Sequence, residues 1–288
     1  MTLKNPEYDF KWCPGCGDFG VRRGLEGALE RNVIDNEQPI DNTVVVAGIG
    51  CSGNMVHMLE KEQPFGIHGI HGRSLPIALG VKMAQPTLNV VVVAGDGDFL
   101  SIGGEHIAPQ AARNLNICAV IMDNGVYGLT KGQSSPTTLQ GKITSSTPFG
   151  KLETKTNPLE LYLTLGVSFI ASGFSGQPRP LSKLIQQGME HPGFSIVHVQ
   201  SPCTTYNDTF IELKGDLANG IQPALWDIPE DHNTADRAAA HDLLQQGGVP
   251  VGILYNDTSR ISLDEAVVGT WEKAQPKTVE QLLGAFDF

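Results

Sequence analysis

Three groups of residues have the types and spacing that chemistry requires. Gly95-Asp96-Gly97-Asp98 is followed one strand–helix unit later by Asp123-Asn124-Gly125. A hard divalent cation such as Mg²⁺ takes oxygen ligands and is often shared with phosphates. Asp96 and Asn124 supply side-chain oxygens, and the loop after Asn124 can add a backbone carbonyl. The flanking glycines let backbone approach a diphosphate, and Gly103-Gly104 offers amides at the next helix start. The third group is cysteine: Cys13 and Cys16 form a CxxC, while Cys51 and Cys203 stand alone. Cys118, inside the apolar run Ile117–Met122, reads as a buried core residue. Setting it aside leaves four thiols, the number a [4Fe–4S] cluster uses. A zinc knuckle and a redox pair are alternatives for a lone CxxC, and two ordinary Asp and Asn turns are the alternative for the first two groups.

These residues are positioned by short apolar runs: Thr43–Ala47, Val90–Ala94, Ile117–Met122, Val167–Ala171 and Ser195–Val199. Each is apolar nearly throughout rather than alternating, which suits strands buried on both faces of a parallel sheet. Helical stripes lie between them, at Val21, Leu25, Ala28 and Leu29, at Ile107, Ala108, Ala111 and Ala112, and at Leu181, Leu184, Ile185 and Met189. The alternation predicts an α/β, doubly wound, mainly parallel sheet. In such a sheet all strand carboxyl ends share one edge, where ligands bind. Gly48-Ile49-Gly50-Cys51, Gly95-Asp96-Gly97, Asp123-Asn124 and Ser201-Pro202-Cys203 each follow a predicted strand, so the chemistry converges on that edge. Residues 132–157, rich in Ser, Thr, Pro and Lys, read as a long functional loop. After Cys203 come one apolar stretch, Val249–Tyr255, and a short helical pattern near Val279–Leu283. This predicts a domain over 1–208 and a C-terminal extension, 209–288, packed on it or on a partner.

Composition narrows the function. The 288 residues carry 20 basic and 31 acidic side chains, a net charge of −11, which is a poor footing for nucleic acid. The 33 glycines exceed the usual ~7% without any collagen-like period. The start, from Met1 to Glu7, lacks the apolar core of a signal peptide, and no apolar run approaches the ~18 residues of a membrane span. An odd cysteine count of five favours reduced thiols or metal ligands over a disulfide framework, so the expectation is a cytoplasmic protein.

Read together, WCPGCGDFG (12–20), GIGCSG (48–53), HGRSLPIALGVK (71–82), GDGDFLSIGG (95–104), DNGVYGLTKGQSSPTT (123–138) and PCTTYND (202–208) resemble the β subunit of a 2-oxoacid:ferredoxin oxidoreductase. The stretches span about residues 10–208. The resemblance implies the thiamine-diphosphate-binding (PP-type) fold. It implies Mg²⁺ held by Asp96, Asn124 and the Val126 carbonyl, and a [4Fe–4S] cluster held by Cys13, Cys16, Cys51 and Cys203. Thiamine-diphosphate contacts are implied at Ile49, Gly50, Cys51, Ser52, His71, Gly97, Asp98, Gly128 and Leu129. His71 also reads as a catalytic candidate, and Lys131 matches the residue that meets the substrate carboxylate. His57, His68 and His106 read as structural.

The implied reaction is coenzyme A-dependent oxidative decarboxylation of a 2-oxoacid, with 2-oxoglutarate as the first expectation and pyruvate as the alternative. Electrons pass through the cluster to ferredoxin. Thiamine enzymes also need a carboxylate against the aminopyrimidine, and no motif here identifies one. The resemblance implies that an α subunit supplies it, in an α2β2 assembly. A non-catalytic iron–sulfur electron-transfer subunit and a self-sufficient thiamine decarboxylase with structural zinc are the competing readings.

Overall fold

The computed structural model describes residues 11–274 and 277–286; the first seven residues, read above for a signal, lie outside them. The strands are β1 (Thr43–Ala47), β2 (Phe65–His68), β3 (Asn89–Gly95), β4 (Ile117–Asp123), β5 (Val126–Tyr127), β6 (Gln133–Ser134), β7 (Phe169–Phe174), β8 (Phe194–Gln200), β9 (Leu225–Asp227) and β10 (Val249–Asn256). Eight of them form one sheet in the order β2-β1-β3-β4-β8-β7-β10-β9, and β5 with β6 makes a separate hairpin. The run from β2 to β7 is parallel throughout. β10 turns antiparallel against β7, and β9 lies parallel to β10.

The β-branched runs form strands because both faces are covered, so every side chain of β1 and β4 is buried. Alternate residues feed two cores. Val44, Val46, Val90, Val92, Ala119 and Ile121 pack beneath the helices Ser74–Ala84, Ile107–Arg113, Pro158–Leu165 and Arg237–Leu244. Val45, Ala47, Val91, Val93, Val120 and Met122 face the helices Asp18–Asp35 and Pro178–Glu190. Cys118 belongs to this second core and is buried. The expected doubly wound, mainly parallel sheet is therefore present.

Residues 209–288 do more than pack on the domain, because β9 and β10 extend its sheet. Burial in β10 is only partial, as expected near an edge. Arg260 ties this region down by donating to the carbonyls of Gly166 at 2.7 Å and Ala111 at 2.9 Å, which end two helices of the main layer. Such free terminal carbonyls are natural partners for a guanidinium. The helix Val279–Gly284 does form and is opened by a capping box between Thr278 and Gln281. Among the described residues no helix is long and apolar enough to cross a membrane.

Candidate functional site

The carboxyl ends of β1, β3 and β4 surround a cavity of about 230 Å³. Its walls contain Ile49, Gly50, Cys51, Ser52, His71, Gly97, Asp98, Gly128 and Leu129, the nine residues expected at the cofactor, together with Asp96, Asn124 and Val126. Backbone geometry makes the cradle. Gly50 has φ +107°, which L side chains rarely adopt, and a Cβ there would meet nothing within 4 Å. Bare backbone therefore faces open space. A Cβ on Gly128 would lie 3.6 Å from Cys51 Sγ and 3.8 Å from Cys203 Sγ, which puts the hairpin loop against the thiols.

Asp98 organises one wall. Its Oδ1 accepts from Gly72 N–H at 2.9 Å and lies 2.7 Å from His71 Nδ1. With its proton on Nδ1, His71 donates to the carboxylate and leaves Nε2 for a ligand. Asp98 Oδ2 is buried without a hydrogen-bond partner. Orphaned buried oxygens are uncommon, and this one belongs to a side chain lining the cavity. Tyr127, another wall residue, donates its hydroxyl to Gly97 O at 3.1 Å.

Behind the cavity Asp96 is 1% exposed and Asp123 6%. Burial, and then the charge of Asp123, push the Asp96 carboxyl up to about 7. Burial also raises Asp123, but the hydrogen bond and charge of His198 outweigh it and hold Asp123 below its usual range. His198 Nε2 lies 3.0 Å from Asp123 Oδ2. A dication beside Asp96 would supply the counter-charge that burial removes. Asn124 Oδ1 accepts from Val126 N–H at 3.0 Å in a tight Asx turn, and Asn207 donates to Asn124 O at 2.7 Å. One carboxylate, one amide oxygen and one backbone carbonyl suit a hard cation completed by phosphate and water.

The cysteines come from three segments sewn together by hydrogen bonds. Cys16 N–H donates to Cys13 O, Gly17 N–H to Pro202 O, and Trp12 Nε1 to Cys51 O at 2.8 Å. Thr204 Oγ1 donates to Pro14 O at 3.0 Å. All five thiols are free, and Cys203 is buried while Cys13 is exposed. Burial first, and then Asp18, Cys203 and Cys13, push the Cys51 thiol up to about 12. Burial and Asp18 raise Cys16 as well, with Cys51 and Cys203 adding to the effect. The four thiols are thus electrostatic neighbours, and they form a donor set that iron can hold as thiolates. Among the described residues no three His, Cys, Asp or Glu side chains already stand in a closed coordination geometry. The oxygen set around Asp96 contains only one such side chain, and the thiols are gathered without forming a single-ion cage.

Lys131 is not brought into the cavity wall. It sits exposed in the β5–β6 hairpin loop with φ +85°, next to the lining residues Gly128, Leu129 and Thr130. His57 Nε2 and His68 Nδ1 lie 2.8 Å apart, and neither residue lines the cavity. Thr137 escaped the sequence reading. It lies inside the matching stretch 123–138, but a threonine in a polar loop gives no signal of its own. His198, mid-strand and apolar on both sides, gave none either.

Residues 48–199 match the family described as thiamine pyrophosphate enzyme, C-terminal TPP binding domain. The chain is 37% identical to the β subunit of 2-oxoacid:ferredoxin oxidoreductase 2 of Aeropyrum pernix, covering 92% of this chain and 85% of that one. It is 40% identical to 2-oxoacid:ferredoxin oxidoreductase subunit beta of Saccharolobus solfataricus, covering 85% and 81%. It is also 40% identical to the 2-oxoglutarate synthase subunit KorB of Archaeoglobus fulgidus, covering 68% and 70%. Among solved structures it resembles a 2-oxoglutarate:ferredoxin oxidoreductase from Magnetococcus marinus with 2-oxoglutarate, coenzyme A and succinyl-CoA bound. That TM-score is 0.84 at 36% identity, covering 99% of this chain and 94% of that one.

Proposed function

Because this chain belongs to the β subunits of the 2-oxoacid:ferredoxin oxidoreductases, we propose that its cavity binds thiamine diphosphate with Mg²⁺ and that its four gathered cysteines hold a [4Fe–4S] cluster. The reaction is oxidative decarboxylation of a 2-oxoacid with coenzyme A, delivering acyl-CoA, CO₂ and electrons for ferredoxin. One observation carries this reading: Cys51 lines the cavity and is also a member of the thiol cluster. Cofactor and electron acceptor then share one wall.

When bound, the thiazolium takes up the electron pair that decarboxylation leaves, and the cluster removes electrons singly. The rest of the work falls to the chain. Asp96, Asn124 and the Val126 carbonyl hold Mg²⁺, and backbone at Ile49, Gly50, Cys51, Ser52, Gly97, Gly128 and Leu129 shapes the cavity around the cofactor. Asp98 fixes the ring of His71, whose Nε2 would be left for a diphosphate oxygen or the substrate. Lys131, in the exposed hairpin loop beside the lining residues Gly128, Leu129 and Thr130, would receive the 2-oxoacid carboxylate.

The aspartates in the cavity wall already have partners in this chain. Asp98 holds His71 and Gly72, and Asp96 is engaged by Thr137. The carboxylate that activates the aminopyrimidine therefore comes from an α subunit, in an α2β2 complex working in the reducing cytoplasm. The substrate is 2-oxoglutarate, in line with the names of the KorB relative and of the Magnetococcus marinus enzyme.

Asp96→Ala, in the chain co-purified with its partner, tests the core of this reading. Bound thiamine diphosphate and Mg²⁺ are expected to disappear while iron stays at its wild-type level. Unchanged cofactor content refutes it. Assays with 2-oxoglutarate, pyruvate and branched 2-oxoacids side by side test the substrate.

A further inference from the structure

Thr137 lies between two buried carboxylates. Its Oγ1 is 2.6 Å from Asp96 Oδ2 and 2.7 Å from Asp123 Oδ1, and the residue is itself buried. A hydroxyl has one proton to give. Asp123 has other donors: Gly125 N–H reaches Oδ1 at 3.0 Å and His198 Nε2 reaches Oδ2 at 3.0 Å. His198 Nδ1 lies 3.3 Å from the hydroxyl of Tyr162. A proton on His198 Nε2 serves Asp123, while Nδ1 faces the Tyr162 hydroxyl. The Thr137 proton is left for Asp96.

The loop carrying Thr137 has little freedom. Ser135 N–H donates to Thr138 Oγ1 at 2.8 Å, and Thr138 Oγ1 donates to Gly125 O at 2.5 Å. Gly125 adjoins Asn124, so the loop is tied to the turn that carries the second side-chain oxygen. Beneath it Lys151 is buried and donates from Nζ to the carbonyls of Ser135 at 2.9 Å, Pro136 at 3.2 Å and Thr138 at 3.1 Å. A lysine buried on carbonyls alone is rare. Here it holds the main chain on both sides of Thr137.

We propose that Thr137 is a positioning residue for the cation site. Its hydroxyl fixes the Asp96 carboxylate and separates it from Asp123, and Lys151 holds the loop that places the hydroxyl. This rests on Asp96 being a cation ligand. Without the hydroxyl, the two buried carboxylates lose the one donor that bridges them; Asp96 keeps Ser135 and the Asn124 N–H but turns away from the position that meets Mg²⁺.

The test uses the full chain co-purified with its partner, stripped of divalent metal and then titrated with Mg²⁺ at fixed thiamine diphosphate. Retained cofactor is measured by equilibrium dialysis, and iron content in parallel. Thr137→Val should raise the half-saturating Mg²⁺ concentration by about tenfold or more, as expected for one lost hydrogen bond to a charged group. Thr137→Ser, which keeps the hydroxyl, should stay within about threefold of wild type, and iron should be unchanged in both. Wild-type Mg²⁺ dependence in Thr137→Val overturns the proposal. So does a Thr137→Ser chain as weak as Thr137→Val, which would mean that shape rather than the hydroxyl matters. Loss of iron in Thr137→Val also overturns it, since the role would then be general to the fold. Asp96→Ala is the reference arm: if its Mg²⁺ dependence matches wild type, the reading of Asp96 fails first and this inference falls with it.

Discussion

Gly48→Ala is a small substitution with a sharp expected consequence. A methyl group on Gly48 would sit 1.9 Å from Asp98 Oδ2 and 2.9 Å from its Cγ, and the three nearest atoms it would meet all belong to Asp98. Ordinary contact begins at 3.4 Å, so the carboxylate must retreat by about 1.5 Å. That movement breaks the 2.7 Å contact with His71 and the 2.9 Å bond from Gly72 N–H. At about 1.5 kcal/mol for each hydrogen bond to a carboxylate, the loss is about 3 kcal/mol. For a chain of this size that corresponds to a fall in Tm of about 6 °C. Thermal melts of four chains make the assay: wild type, Gly48→Ala, Asp98→Ala and the double variant. Asp98→Ala removes the obstacle, so adding Gly48→Ala to it should cost less than about 0.5 kcal/mol, giving a coupling of roughly 2.5 kcal/mol. An equal penalty from Gly48→Ala in both backgrounds, or a Gly48→Ala chain with wild-type Tm, refutes the reasoning.

Other substitutions reach the remaining groups. Cys118→Ala should leave iron content at the wild-type level, because Cys118 packs in the core against Gly188 and Ile185; loss of the cluster would show that the four ligands are wrongly chosen. Lys131→Ala should raise KM for the 2-oxoacid more than KM for coenzyme A, and an equal effect on both would argue against carboxylate recognition. His191 is buried, and burial pushes its imidazole down to about 4. The unfolded chain therefore binds a proton more readily below pH 6.5, and stability falls as pH drops from there to about 4. At about 1.4 kcal/mol per pH unit the total is at most about 3.5 kcal/mol. His191→Gln should flatten that acid limb in pH-dependent melts; an unchanged limb would show that His191 does not set it.

The parts of the molecule legible in the sequence are those where one physical demand dominates. β1, β3, β4 and β8 are buried on both faces, so their apolar runs mark them to within about one residue. β2 was not legible because Phe65 and Gly66 are exposed at the sheet edge, which leaves no apolar run to read. In β10, Pro250 and Gly252 argue against a sheet strand, yet an antiparallel strand near the edge accepts both, with a register shift between Ile253 and Tyr255. The cavity wall was legible because Gly-Asp-Gly and Asp-Asn sit where parallel strands end. The support behind that wall was not. Thr137, His198 and Lys151 act through hydrogen bonds to residues 13 to 75 positions away, and neither their types nor their spacing announces those partners. Lysine in particular is read as solvated by default, whereas Lys151 is buried.

The central claim is that one sheet edge in this chain gathers a cofactor cavity and an iron–sulfur site. The most direct test is metal, sulfide and thiamine analysis of the anaerobically purified chain with its partner. About four iron and four sulfide, with one thiamine diphosphate, are expected per chain, and the cluster should be reducible on addition of 2-oxoacid and coenzyme A. A colourless protein containing zinc, or one with iron but no thiamine diphosphate, would contradict it.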